Sequence, residues 1–426
     1  MSELHCQKRL KVAIIGGGPA GLGAAIELSR LSFVDWELYE RKPQINETGG
    51  GLSLQAQTWK LLETNGAAKH IQPDDYFRCE EGQIEQRRNG RSGELLLSKY
   101  NPEDIPRHHR TCRLTREKLQ SALLKNVDKS HIHTKKNLVR IENLQNGQIR
   151  LCFEDDVVDE VDLLVAADGI RSVVRKFNFP SYTLRHDGRF VYRTVVRKTE
   201  ALKISGIPLA PVFWKSTSGL YVYTCPLGDD DFEVTARIRR PKPDQYAVSW
   251  GRPFDLNDVL PEFEDFCVPV REILRLAAQS KTQEFALLSG PSLESIVCNG
   301  NTAFVGDASH PLQGNFGSGA GFALEDVYTL GRILDWGLRQ GIPLCDGLEM
   351  FDKVRSPHYK RLVEAIGEFS SIKKALLDER LSIDEEISER VKRISLSSPS
   401  WMYYYEIDKV VDRVLREANQ RAVGQW

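Results

Sequence analysis

The sequence predicts an α/β fold: a Rossmann-type nucleotide-binding domain split by a mostly antiparallel β-sheet, with a C-terminal helical tail. Three observations carry this. Residues 10–40 read as strand, glycine-rich loop, helix and strand; the middle of the chain is strand-rich with turn signals; and α/β alternation returns after residue 286. In order, the apolar run 10–15 is a strand, 24–31 a helix and 36–40 a strand. Residues 61–68 and 115–126 follow as helices, the second with Leu119, Leu123 and Leu124 on one face and Thr115 as its cap. Strands come next at 138–142, 149–153 and 161–167. Residues 190–196, 219–224 and 232–238 are then strands, the last two joined by the turn Gly228-Asp229-Asp230-Asp231. A strand at 301–306 leads through glycines into a helix at 322–339, and 370–426 is polar and helical, with the aromatic patch Trp401 to Tyr405. The expected division is 1–180 for the first part of the nucleotide domain (with a substrate-side segment near 75–100), 181–285 for the β-sheet domain, 286–366 for the second nucleotide part and 367–426 for the helical region.

The 426 residues carry 58 Lys and Arg against 59 Asp and Glu, so no global basic field exists to hold nucleic acid. Glycines interrupt the longest apolar stretch, and no transmembrane or secretory segment is read. Eight scattered cysteines without a Cys-x-x-Cys pair read as reduced thiols of a cytoplasmic protein, with no metal site.

Gly16-Gly17-Gly18-Pro19-Ala20-Gly21 fits G-x-G-x-x-G between strand and helix, where free N–H groups receive a pyrophosphate. Glu40, with Arg41 beside it, ends the second strand nineteen residues after Gly21, where an acid accepts a ribose hydroxyl. The motif admits either FAD or NAD. Further segments are Ala167-Asp168-Gly169 and Gly306-Asp307-Ala308-Ser309-His310-Pro311, the latter followed by Gly317-Ser318-Gly319-Ala320-Gly321 and the pair Glu325-Asp326. These resemble, in order, the Asp-Gly motif and the second FAD motif of the single-component FAD-dependent aromatic hydroxylases. The salicylate-hydroxylase-like branch is the nearest in pattern, including the stretch Trp401 to Glu406.

The resemblance implies FAD as cofactor and NAD(P)H as a transient reductant. It assigns Gly16, Gly18, Ala20, Gly21, Glu40, Arg41, Gly49, Gly51, Arg116, Asp168, Asp307, Gly317, Gly319 and Ala320 to the cofactor site. It also implies O2 chemistry through a flavin C4a-hydroperoxide that hydroxylates a small phenolic or aromatic acid, with or without decarboxylation. The same chemistry serves epoxidation or modification of an indole, polyketide or terpenoid, so polycyclic substrates stay open, and a non-catalytic flavin-binding protein is the reading from another class. A monomer or homodimer is expected. Arg193, on a strand similar to the family's Phe-Arg-Gly strand, is the substrate candidate, and Tyr223 is a further one. Trp214 and Tyr221 are weaker candidates for the pocket. Three departures stand out: Thr194 replaces a usual Gly, Cys225 rather than Tyr precedes Pro226, and Gly314 occupies the place of a Pro near the flavin's reacting edge. His131 and His133 read as structural, and His310 as support for the second motif.

Overall fold

The computed structural model describes residues 9–46, 50–240, 250–312, 314–397 and 400–423. Its nucleotide-binding part is a six-stranded sheet in the order Val297–Cys298, Thr302–Phe304, Leu163–Ala166, Leu10–Ile15, Val34–Glu40, Ile132–Thr134. Every pairing is parallel except the Val297–Cys298 edge. The central strands are buried on both faces, which is why they read as unbroken apolar runs. Ile15 pairs with Tyr39 on one side and Ala166 on the other, and Ala166 pairs with Phe304. All three cofactor motifs therefore leave the sheet at the carboxyl ends of adjacent strands, where open α/β sheets bind ligands.

The second sheet has eight strands, Trp250–Phe254, Thr282–Ser289, Arg185–Arg197, Asp231–Arg239, Tyr221–Pro226, Val212–Lys215, Gln83–Asn89 and Leu95–Tyr100 in that order. All pairings are antiparallel except that of Val212–Lys215 with Gln83–Asn89. Its even-numbered face, with Phe190, Tyr192, Trp214, Phe232 and Val234, forms a core with Ile273 and Leu274 of the Val268–Ala278 helix. The odd-numbered face points the other way and carries Arg193, Phe213, Tyr221, Tyr223, Thr235 and Arg237. Trp214 is thus not a pocket residue: it is 1% exposed on the core face, and its indole N–H donates to Thr224 Oγ1 at 3.0 Å.

Several elements differ from expectation. The helix placed at 61–68 runs instead over Ala56–Thr64, stopping before Gly66, whose φ of +81° ends the helical path. The 115–126 helix is Arg116–Leu124, with the Thr115 hydroxyl accepting from Lys118 N at 3.3 Å. A single 34-residue helix, Leu344–Leu377, runs through the boundary expected at 366. Ile383–Leu396 and Ile407–Val423 complete the C-terminal helices. Among the described residues no helix is long and apolar enough to cross a membrane, and the seven described cysteines are free.

Candidate active site

The glycine loop is shaped by close backbone approach. Gly16 has φ +109°, and a Cβ there would lie 2.5 Å from the Ala167 carbonyl oxygen; a Cβ on Gly21 would lie 1.8 Å from the Gly16 carbonyl oxygen. Gly18, by contrast, faces open space at the start of the Pro19–Ser29 helix. Glu40 closes the loop: one carboxylate oxygen accepts from Gly17 N at 2.7 Å and the other from Lys42 N at 2.8 Å. Gln120 donates to the Gly17 carbonyl at 3.0 Å. The crevice over these residues is lined by Gly17, Gly18, Glu40, Lys42 and Gln120. Arg41 is exposed and does not line it, so Lys42 supplies the cation at this end. Gly49 lies outside the described residues.

The other motifs converge on this loop. Gly306, at φ +58°, packs so near Ala20 that its Cβ would meet the alanine methyl at 3.1 Å. Asp307 is exposed, and its carboxylate takes no hydrogen bond from a described residue; Gly319 lies beside it. Behind them a buried network fixes the turn. Asp326 accepts from Gly306 N at 2.8 Å, His310 at 3.0 Å, Arg355 Nε at 2.8 Å and the Tyr359 hydroxyl at 2.6 Å. Burial alone would raise its pKa, yet the Arg355 charge and the His310 bond hold it down at about 2. His310 stacks on Tyr359 with ring centroids 3.5 Å apart, a structural part. His131 and His133 both bond Glu37, at 3.1 and 2.6 Å.

The eight-stranded sheet is met at Gly50 and Gly51, where a separate three-stranded sheet of Gly51–Leu54, Cys112–Thr115 and Tyr76–Phe77 begins. A Cβ on Gly50 would contact Glu233 Oε1 at 2.6 Å and Arg193 Cδ at 3.3 Å. Gly51 N donates to Glu233 Oε2 at 3.1 Å, Arg113 Nη2 reaches the same oxygen at 2.7 Å, and Thr235 donates to Oε1 at 2.9 Å. Arg113 also donates to Ser53 Oγ at 2.8 Å and lies 5.2 Å from the Tyr223 ring centroid. Ser53 in turn faces Gly317. Burial, with the nearby Arg116 charge, pushes Arg193 down to about 10, and burial raises the Tyr223 hydroxyl well above its usual value. Gly314 and Gly317 both have φ +66° and Phe316 has φ +70°, so the loop leading to Ala320 and the Gly319–Arg339 helix is a left-handed turn.

Several polar atoms around this space are buried without a partner: Arg116 Nε, Asp168 Oδ1, Arg193 Nε, and both amide atoms of Gln57. Asp168 spends its other oxygen on Val173 N and Val174 N, at 2.7 and 3.2 Å, and burial raises its pKa. Buried polar groups left without a partner in the protein fit a large polar cofactor such as FAD. Arg113 and Glu233 are new from the structure. No local motif marks them, since they meet only when strands 120 residues apart are brought together.

Comparison with known proteins agrees. Residues 9–184 match the model of an FAD binding domain. The chain is 28% identical over 358 residues to 2-heptyl-3-hydroxy-4(1H)-quinolone synthase of Pseudomonas aeruginosa, covering 81% of this chain and 85% of that one. It is 25% identical to a salicylate hydroxylase of Pseudomonas putida, covering 96% and 95%. A salicylate hydroxylase substrate complex superposes with a TM-score of 0.77 at 20% identity, over 96% of this chain and 98% of that one. These matches support a likeness to the single-component FAD-dependent aromatic hydroxylases along most of the chain. The chain is an FAD-dependent monooxygenase of aromatic substrates, with NAD(P)H as the reductant usual in that family.

Proposed function

We propose that this monooxygenase hydroxylates a small phenolic or aromatic-acid substrate held on the odd-numbered face of the eight-stranded sheet, beside the Gly50–Gly51 turn. The observation that carries this reading is the juxtaposition of that turn with Arg193, in the same cross-strand row as Thr235, Tyr223 and Phe213. Bound FAD would supply reduction by NAD(P)H and activation of O2.

The protein's own contribution divides by element. The Gly16–Gly21 loop and the Pro19–Ser29 helix N-terminus receive the pyrophosphate; Glu40 takes a ribose hydroxyl; Arg116, Asp168 and Asp307 hold the remaining polar groups. Glu233 pins Gly51 and engages Arg113, so the turn is fixed against the substrate sheet. That leaves Arg193, half-buried and without an acidic partner among the described residues, to stabilise a phenolate oxygen. Tyr223 and Phe213, with centroids 4.5 Å apart, orient the ring and exclude water. The left-handed turn at Gly314 shapes the opposite wall. Free cysteines support a cytoplasmic enzyme, working as a monomer or homodimer.

The test is NAD(P)H oxidation and product analysis with purified FAD-loaded protein and a panel of phenols and aromatic acids. An oxygenated product, with stimulation reduced at least tenfold in Arg193→Ala at unchanged flavin content, is expected. NAD(P)H consumption without oxygenation of any aromatic would overturn the reading.

A further inference from the structure

One step farther along the odd-numbered face, three cations have no acidic partner among the described residues. Lys215 Nζ lies 4.3 Å from the Phe213 ring centroid and 4.4 Å from that of Tyr221. The Arg237 guanidinium lies 5.2 Å from the same Tyr221 ring, and its Nε is buried without a hydrogen-bond partner. Lys373 reaches them from the Leu344–Leu377 helix, close enough for its charge to act on Lys215 and for that of Arg237 to act on it.

The acids around this trio are engaged elsewhere. Glu85 pairs with Arg87 at 2.8 Å and Lys99 at 3.9 Å, Asp187 with Arg189 at 2.7 Å, and Glu386 with Arg390. Burial, then Arg87 and Arg237, push the Lys215 ammonium well below its usual pKa, Glu85 opposing them. Burial, then Arg237, Arg189 and Arg390, push Lys373 to about 8, against Asp187. Positive groups that repel one another at half-buried positions are stabilised by an anion between them.

Two independent rulers place this trio relative to the cofactor side. In the sheet, Arg193 aligns with Thr235 and Tyr223, while Arg237, Tyr221 and Lys215 align two residues farther on, about 7 Å along the strands. On the helix, Phe369 meets Phe316 of the Gly314–Ser318 loop at 6.2 Å between centroids, and Lys373 comes one turn later, about 6 Å along the axis. Both spans match the length of one aromatic ring with its substituent.

We infer that Lys215, Arg237 and Lys373 form an anion subsite for an acidic group at the end of the aromatic substrate remote from Arg193, with the ring lying along Tyr223 and Phe213. This rests on the hydroxylase reading above and narrows its substrate class. The acid stands across the ring from the hydroxyl, or on a short side chain, rather than adjacent to it. The oxyanion could alternatively belong to a nucleotide phosphate, and the experiment separates the two.

Binding to the FAD-loaded full chain is read from perturbation of flavin absorbance. The probes are 4-hydroxybenzoate, 3-(4-hydroxyphenyl)propionate, salicylate and 4-hydroxybenzamide. The variants are Lys215→Met, Arg237→Met and Lys373→Met, the last on a helix and so sparing the sheet. The expected result is that at least one acid with a distal carboxylate binds tenfold or more tighter than the amide and salicylate. Each variant removes that advantage through KM rather than kcat and leaves amide binding unchanged. Equal binding of acid and amide, or equal loss of both in the variants, would overturn the subsite. A rise in KM for NADPH but not NADH, with acid binding intact, would give the cluster to the nucleotide and overturn it as well. Acid-selective binding without an oxygenated product would uphold the subsite and sink the hydroxylation proposal alone.

Discussion

Glu233 and Arg113, 120 residues apart in sequence, meet at 2.7 Å beneath the turn where the nucleotide-binding part touches the substrate sheet. Both are buried, at 2% and 8% exposure, so the pair is held in an environment where either charge alone would be costly. The same carboxylate fixes Gly51 N, which makes the pair a strut between the Gly50–Gly51 turn and the odd-numbered face of the eight-stranded sheet.

Glu233→Ala is therefore expected to lose about 3–5 kcal/mol of stability, because Arg113 is left buried without its counter-charge. Glu233→Gln keeps the shape and the bond to Gly51, and should fold. With the turn less firmly held, product formed per NAD(P)H consumed should fall. Urea unfolding and the ratio of product to nicotinamide oxidised check the two statements. Full coupling in the Gln variant would remove Glu233 from any positioning role.

Asp307 and Asp326 should respond in opposite ways to loss of charge. The exposed Asp307 bonds no described residue, so Asp307→Ala should fold with an unchanged apo melting temperature and lose bound FAD. Asp326 collects four hydrogen bonds in the core, one of them from the Gly306 backbone. Asp326→Asn leaves Arg355 with only the Glu325 carboxyl, 2.9 Å away, and should destabilise the apo-protein. Flavin content by absorbance and thermal unfolding distinguish them; retained flavin in Asp307→Ala would undo its assignment.

The parts legible in the sequence were those whose signal is local. The glycine loop, Glu40 nineteen residues on and the apolar parallel strands announce themselves by spacing, because backbone approach and strand burial dictate residue type directly. Arg193 was singled out through a strand resemblance, and Trp214 was misplaced because alternation gives two faces without saying which one is core. The Arg113–Glu233 pair and the proposed role of Lys373 were not legible. Each acquires its meaning from a partner more than a hundred residues away. The long helix through residue 366 was cut by a change in composition that the backbone does not follow.

Gly314 offers a sharper check on the left-handed turn before the Gly319–Arg339 helix. Introducing the proline usual in the family would force φ near −65°, whereas this residue sits at φ +66°. Gly314→Pro should thus lose flavin and melt lower, although it restores a familiar residue. Gly314→Ala adds a methyl that meets nothing within 4 Å, so its cost is the left-handed backbone alone, about 1–2 kcal/mol. Flavin retention after gel filtration compares the two; a Pro variant as stable as wild type would mean the loop adopts another path.

Glu325 and His358 give stability a specific pH profile. Burial pushes Glu325 from 4.5 up to about 8, against the Arg355 charge 2.9 Å away. Between those values the folded protein keeps a proton that the unfolded chain has released, so this group makes stability fall as pH rises, about 1.4 kcal/mol per unit. Burial, together with Arg355, pushes His358 from 6.5 down to about 2. Below pH 6.5 the unfolded chain binds a proton there that the folded one does not, so this group makes stability rise with pH until 6.5. The two contributions oppose each other from pH 4.5 to 6.5, and above 6.5 only the Glu325 loss remains. In Glu325→Gln the loss is gone: relative to wild type, the variant should gain stability steadily from pH 5 to 8. Urea unfolding of both proteins at pH 5, 6.5 and 8 tests this, and a constant difference across the three would show that Glu325 is already ionised at pH 5.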